Sequence, residues 1–247
     1  MISIKSKREL GLMREAGKKL RDVFFELEKL VRPGMSTLDI DAQAEKLIRA
    51  QGAVPAFKGY RGFPCSVCLS LNEQVVHGIP SKQKIKEGDL LSVDMGLVWK
   101  DFYSDSARTW PVGRVIPVAE KLIRAAKDSL NAGIEQMQAG HHVGDISSAV
   151  QKVIESYQFS VVRDFVGHGI GRALHEDPQV PNFGKSGKGP RLEVGMVLAI
   201  EPMVNEGTHE VSILSDGWTV VTGDGKLSSH YEDTIALTEN GPEILTR

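Results

Sequence analysis

Cysteine is nearly absent from this chain of 247 residues, with Cys65 and Cys68 its only two. A lone C-x-x-C is a redox pair or half of a zinc site, and no second pair exists to complete one. The stretch Pro64-Cys65-Ser66-Val67-Cys68-Leu69-Ser70 reads as a strand, so two reduced thiols in a cytoplasmic protein are expected. A strong charge of either sign is also missing, since 30 basic against 32 acidic residues leave a net charge of −2. That balance removes any global electrostatic reason to bind nucleic acid or an anionic membrane. No apolar run approaches bilayer-spanning length, and the opening residues MISIKSKREL carry no apolar signal-peptide core. There is no Gly-x-Ser-x-Gly elbow and no phosphate loop. Gly167–Gly171 places His168 and Arg172 where a phosphate fingerprint wants a helix start and a third glycine.

What is present is an acid in an apolar place. Leu90 to Asp105 reads as a strand, a turn at Trp99-Lys100-Asp101, and a second strand, with Asp94 interrupting the first apolar run. A buried carboxylate without a partner or metal is costly. A hairpin centred between Trp99 and Lys100 sets Asp94 opposite Asp105, with Cβ atoms roughly 4.5–5.5 Å apart. Carboxylates that close need a cation or a shared proton between them. The other reading of the same stretch is Asp105 as a solvated strand-edge residue and Asp94 as a turn-facing one.

Along the chain, Leu10, Met13, Leu20, Phe24 and Leu27 recur at helical spacing until Arg32-Pro33-Gly34 stops them. Ser36 or Thr37 caps a second helix to about Arg49. A strand-rich region follows from about Val54 to Pro111. Helices return from Val118 to Met137 and from about Asp145 to Tyr157, and strands fill the rest. The order repeats, and so do residues. A shift of 106 sets Pro33-Gly34 on Ala139-Gly140 and Asp39-Ile40 on Asp145-Ile146; a shift of 107 sets Gly88 on Gly195 and Asp94 on Glu201. Looser matches join Val76-His77-Gly78-Ile79 to Gly167-His168-Gly169-Ile170, and Ser104-Asp105-Ser106 to Tyr231-Glu232-Asp233. Two α+β halves related by a pseudo-two-fold are therefore expected, roughly 5–111 and 112–247, with a site near the axis.

That repeat converges four acids, Asp94, Asp105, Glu201 and Glu232, together with His168. Four carboxylates and a neutral imidazole carry −4, which two divalent cations balance, the usual arrangement for metal-assisted hydrolysis. Mostly oxygen ligands with one nitrogen suit Mn, Fe or Co as well as Zn. His77 and His175 are candidates to hydrogen-bond a substrate or intermediate. His141, His142, His209 and His230 are read as surface or loop residues.

At these positions the chain resembles the type I methionine aminopeptidases over essentially its whole length. The motifs are Asn72-Glu73 through His77-Gly78-Ile79-Pro80, Asp94 with Asp105, Gly167-His168-Gly169-Ile170-Gly171 through His175-Glu176-Asp177-Pro178, Ile200-Glu201-Pro202, and Tyr231-Glu232. The resemblance implies an α+β "pita-bread" fold, two halves around a mainly antiparallel sheet, in a single catalytic domain over 1–247. It implies a dinuclear site of Asp94, Asp105, His168, Glu201 and Glu232, with Asp105 and Glu232 shared by two ions (Co, Mn, Fe or Zn). It casts Glu201 as proton shuttle, His77 as a contact to the peptide near its second residue, and His175 as a contact to the developing oxyanion. Phe57, Tyr60, Phe63, Cys68, Leu174 and Trp218 map onto the family's methionine pocket, where a flexible thioether packs well. Phe57 and Leu174 depart from relatives that carry Cys and Phe there.

The implied substrates are N-terminal Met peptides and nascent chains with a small second residue, met in the cytoplasm by a monomer, with transient ribosome contact as a further expected partner. No nucleic-acid sequence recognition and no membrane association are implied. Only 32 residues separate His168 from Glu201, so the helical insertion of type II relatives is absent. The catalytic motifs begin without the zinc-binding region of eukaryotic type I forms, which points to a bacterial-type enzyme. The rival readings are an X-Pro aminopeptidase or prolidase, and a non-catalytic binding module on the same fold. The five intact ligand positions argue against the second.

Overall fold

The structure, a computed structural model, describes residues 2–247. The first half runs α1 (Lys7–Leu30), α2 (Thr37–Ala50), β1 (Val54–Pro55), β2 (Cys68–Leu71), β3 (Gln74–Val76), β4 (Leu90–Trp99) and β5 (Phe102–Pro111). The second half begins again with a helix pair, α3 (Pro117–Glu135) and α4 (Val143–Ser156), then β6 (Ser160–Val161), β7 (Gly167–Gly169), β8 (Glu176–Val180) and β9 (Val197–Ile200). It closes with β10 (Met203–Asn205), β11 (Val211–Ile213), β12 (Val220–Thr222), β13 (Ser228–His230), β14 (Asp233–Thr238) and β15 (Gly241–Ile244).

The helices start where their sequences offer caps. Ser6 and Glu9 exchange side-chain and backbone bonds at the head of α1, and Ser36 and Asp39 do the same for α2. Pro117 opens α3, where its missing N–H costs nothing. In both halves a left-handed glycine ends the segment before the second helix, Gly34 at φ 92° and Gly140 at φ 90°. Gly88 (φ 94°) and Gly195 (φ 96°) likewise lead into β4 and β9, each donating its N–H across a ladder, to Val112 O and Leu237 O, both at 2.8 Å. Each helix pair covers its own sheet. Leu20, Leu27, Ile40 and Ile48 pack on Leu91, Val93 and Leu97. Leu122, Leu130, Ile146 and Ile154 pack on Leu198, Ile200 and Ile235.

Two antiparallel sheets meet at the centre. In one, β4 pairs with β1 and β2 on one side and β5 on the other; the second has the order β15-β14-β9-β7-β8. They are joined where Ala107 and Glu232 exchange both backbone bonds, at 3.3 and 2.9 Å. Thr234 Oγ1 extends the seam by accepting from Asp105 N (3.1 Å) and donating to Asp105 O (2.8 Å). The guanidinium of Arg108 donates to Glu232 O and, at 2.5 Å, to Asp233 Oδ1.

The hairpin register differs from the one the sequence led us to expect. Trp99 pairs with Phe102, so the loop is Lys100-Asp101, both at positive φ (48° and 65°), as a two-residue type I′ turn requires. Asp94 therefore faces Ala107, and Asp105 faces Gly96. The shift is two residues, so parity survives: both acids keep the same face, as diagonal rather than direct neighbours. The strand expected from Pro64 begins only at Cys68. Ser66 and Val67 give their N–H groups to Asp41 Oδ1 (2.8 and 3.0 Å), which removes them from the ladder.

Candidate metal centre

The seam between the sheets is where the acids gather. Asp105 comes from β5 and Asp94 from β4. Glu201 follows the last residue of β9 and Glu232 precedes the first of β14, one step beyond the Ile200–Asp233 pair. His168 is the middle residue of β7, paired with Ala199. Gly167 and Gly169 flank it because no Cβ fits: one would lie 2.4 Å from Ala199 O and the other 2.2 Å from Asp177 O. The glycines thus serve close approach of backbone to backbone.

Ligand-capable atoms of Asp105, His168 and Glu232 all lie within 4.8 Å of one another, and all three residues are buried. His168 Nε2 is 3.5 Å from Glu201 Oε1 and 4.0 Å from Asp105 Oδ2. Its tautomer follows from its other nitrogen. Nδ1 lies 2.9 Å from Gly169 O, a carbonyl that only accepts, so Nδ1 carries the proton and Nε2 presents a lone pair to the acids. A backbone bond on the second nitrogen is how metal-ligating imidazoles are oriented. Glu232 Oε1 is buried with no hydrogen-bond partner. An orphan carboxylate oxygen beside a bare imidazole nitrogen and further carboxylates is a donor set that fits divalent metal.

The electrostatics agree. Burial first, then mutual repulsion, pushes Asp94, Glu201 and Glu232 well above the usual carboxylate range. Asp105 is pushed up to about 7 by burial, partly offset by the Ser106 N–H that bonds it. Burial and then His175 lower His168 to about 3, which keeps its imidazole neutral and free to ligate.

One cavity of about 160 Å³ is lined by Asp94, Asp105, His168, Glu201 and Glu232 together with Phe57, Tyr60, Phe63, Cys68, His77, Leu174, His175 and Trp218. Every site residue expected from the sequence therefore lies on a single surface. His77 follows β3 at φ 59° and packs edge-on against Phe165 and Trp218, with ring centroids 5.5 and 6.3 Å away. Burial, then His175, lowers its pKa to about 4. His175 stacks beside His168 at 4.3 Å, and its Nδ1 lies 2.8 Å from Tyr60 Oη. Partial burial and then the nearby Arg61 cation lower its pKa. Phe63 meets Trp218 edge-on at 5.1 Å. Gly96, opposite Asp105, has no room for a Cβ because Phe57 Cε1 would lie 2.8 Å from it.

Two residues at the site escaped the sequence reading. Arg61 also lines the cavity, at φ 48° with its guanidinium 5.4 Å from the Tyr60 ring; its setting between Gly59 and Gly62 was the available sign of a tight turn. His230, expected at the surface or in a loop, instead ends β13, is 2% exposed, and has Nε2 3.8 Å from Glu201 Oε2. Its place two residues before Glu232 was the signal. The other three histidines stay outside: His141 is exposed, His142 leads into α4, and His209 lies half-buried beside Glu210.

The model of metallopeptidase family M24 matches residues 11–239. A methionine aminopeptidase of Clostridium perfringens is 54% identical, with all of this chain and 99% of the relative covered. Methionine aminopeptidase 1 of Bacillus subtilis is 51% identical, covering both chains completely. The crystal structure of methionine aminopeptidase from Rickettsia prowazekii superposes with a TM-score of 0.99 at 38% identity, again over both whole chains.

Proposed function

The chain belongs to metallopeptidase family M24, and on that premise we propose that it removes the N-terminal methionine of peptides and nascent proteins. The observation that carries this is the bare His168 Nε2 set among buried acids, on the same cavity wall as an aromatic pocket. We read residues 1–247 as one catalytic domain whose duplicated halves meet at this centre. Neither an X-Pro peptidase nor a non-catalytic module is favoured, since the relatives at 54% and 51% identity are methionine aminopeptidases over their full length.

Asp94, Asp105, His168, Glu201 and Glu232 would hold two divalent cations. When bound, such a pair lowers the pKa of a water and polarises the first peptide carbonyl. Glu201 takes the proton from the attacking water and returns it to the leaving amine. His175, anchored by Tyr60, faces the developing oxyanion, and His77 contacts the peptide near its second residue. Phe57, Tyr60, Phe63, Cys68, Leu174 and Trp218 enclose the methionine side chain, and a small second residue is the substrate this reading favours. The substrate's free α-amino group and the acid cluster together confine action to the first residue. The reading places the protein as a monomer in the cytoplasm, acting on chains as they leave the ribosome. Among the described residues no helix is long and apolar enough to cross a membrane.

Titration of Mn²⁺ into chelator-treated protein tests the centre. We expect two equivalents bound by the unmodified chain and tight uptake lost in Asp105→Ala and Glu232→Ala. Uptake of none, or uptake indifferent to both substitutions, would overturn the assignment.

A further inference from the structure

The carboxylate of Glu201 has no hydrogen-bond donor from any described side chain or backbone N–H; the one recorded bond to this residue, from Asn182 Nδ2 at 3.0 Å, goes to its carbonyl oxygen. It sits instead between two imidazoles. His168 Nε2 is 3.5 Å from Oε1 on the cavity side, and that nitrogen carries a lone pair. His230 Nε2 is 3.8 Å from Oε2, and it is fully enclosed without a partner of its own. His230 does not line the cavity, as Asp94, Asp105, His168, Glu201 and Glu232 all do, so it stands behind Glu201 rather than among the ligands.

The backbone of His230 is fixed. Its N–H donates to Thr109 Oγ1 and its carbonyl accepts from the same hydroxyl, both at 2.9 Å, across the seam from β5. This enclosed and firmly rooted ring has the Glu201 carboxylate, which accepts, 3.8 Å from its unpartnered nitrogen. Bonds of this kind are often long before a site is filled and tighten when it is. We propose that His230 is a positioning residue: its Nε2–H donates to Glu201 Oε2 and holds that carboxylate in the orientation required for metal binding and proton transfer. The inference rests on the reading of Glu201 as ligand and proton carrier.

The test compares His230→Leu, which removes the donor, with His230→Gln, which keeps an N–H on a side chain of similar reach. Loss of an outer partner of a metal ligand typically costs about 10–100-fold in metal affinity or activity. In Mn²⁺ titrations we expect His230→Leu to bind at least about tenfold more weakly, and His230→Gln to recover most of that loss. With saturating metal, His230→Leu should lower kcat for Met-Ala-Ser while leaving KM nearly unchanged, because Glu201 is misdirected and the methionine pocket is untouched. Chelator-treated His230→Leu should keep its circular dichroism spectrum and melting cooperativity. Equal metal affinity and kcat in His230→Leu and the unmodified chain would overturn the proposal, as would a loss that His230→Gln fails to recover. If instead the unmodified chain takes up no metal or releases no methionine, it is the assigned function that fails.

Discussion

Asp105 is bonded on both sides of its backbone by one hydroxyl, Thr234 Oγ1, so its carboxylate enters the cavity from a fixed root. The residue types at the centre were legible in the sequence because acids in apolar strands demand a reason, and Asp94 and Glu201 sit in such strands. His230 was legible only through its place two residues before Glu232, since a histidine among serines carries no such contradiction; the structure shows its ring enclosed behind Glu201. His175 allows the sharpest test of a single side chain. It is exposed, and the role proposed for it belongs to the reaction rather than to the core. His175→Ala should lower kcat for Met-Ala-Ser about 10²–10³-fold, the range for losing one oxyanion donor. The melting temperature should stay nearly constant; an unchanged kcat would remove His175 from the chemistry.

Among elements, the β4–β5 hairpin shows how face and register part company. Alternation placed both acids on one face, but the turn type decided their pairing, and Lys100-Asp101 lacks the glycine that usually announces a type I′ turn. Asp101 holds φ 65° at a cost that glycine avoids, so Asp101→Gly should stabilise the protein by about 0.5–1 kcal/mol, read from thermal or denaturant unfolding. A loss of stability there would mean that the turn is not strained as described. The seam makes the opposite prediction. Asp233 is fully buried between Arg108 and Arg247, at 2.5 and 2.6 Å. Arg108→Met strips one partner from that carboxylate and one donor from Glu232 O, and should cost about 3 kcal/mol. The helix pairs were readable from periodicity and caps, whereas short strands such as Gln74–Val76 and Ser228–His230 have too few residues to show a pattern.

For the molecule as a whole, the acid cluster links metal, protons and stability. Burial pushes Asp105 up to about 7, above its unfolded range, so the metal-free fold retains a proton there at slightly acid pH. Such a raised carboxylate favours the metal-free fold only at low pH, and that contribution is lost as pH rises toward 7. Cations held by the cluster would replace those protons. The gap in melting temperature between metal-loaded and chelator-treated protein should therefore widen from pH 5 to pH 8, and metal affinity should rise by up to about tenfold per pH unit for each proton displaced. A gap that narrows with pH would contradict the charge argument. The duplicated order of helices and strands was visible in the sequence through paired glycines and acids; the seam bonds between Ala107 and Glu232 were not, because they join residues 125 positions apart.

The measurement that bears most directly on the whole account is release of free methionine from Met-Ala-Ser and Met-Lys-Ser by chelator-treated protein, before and after adding Mn, Co, Fe or Zn. Release that depends on metal, is strong on the first peptide and weak on the second, and disappears in Glu232→Ala is the predicted result. No release with any metal, or release indifferent to Glu232, would contradict it.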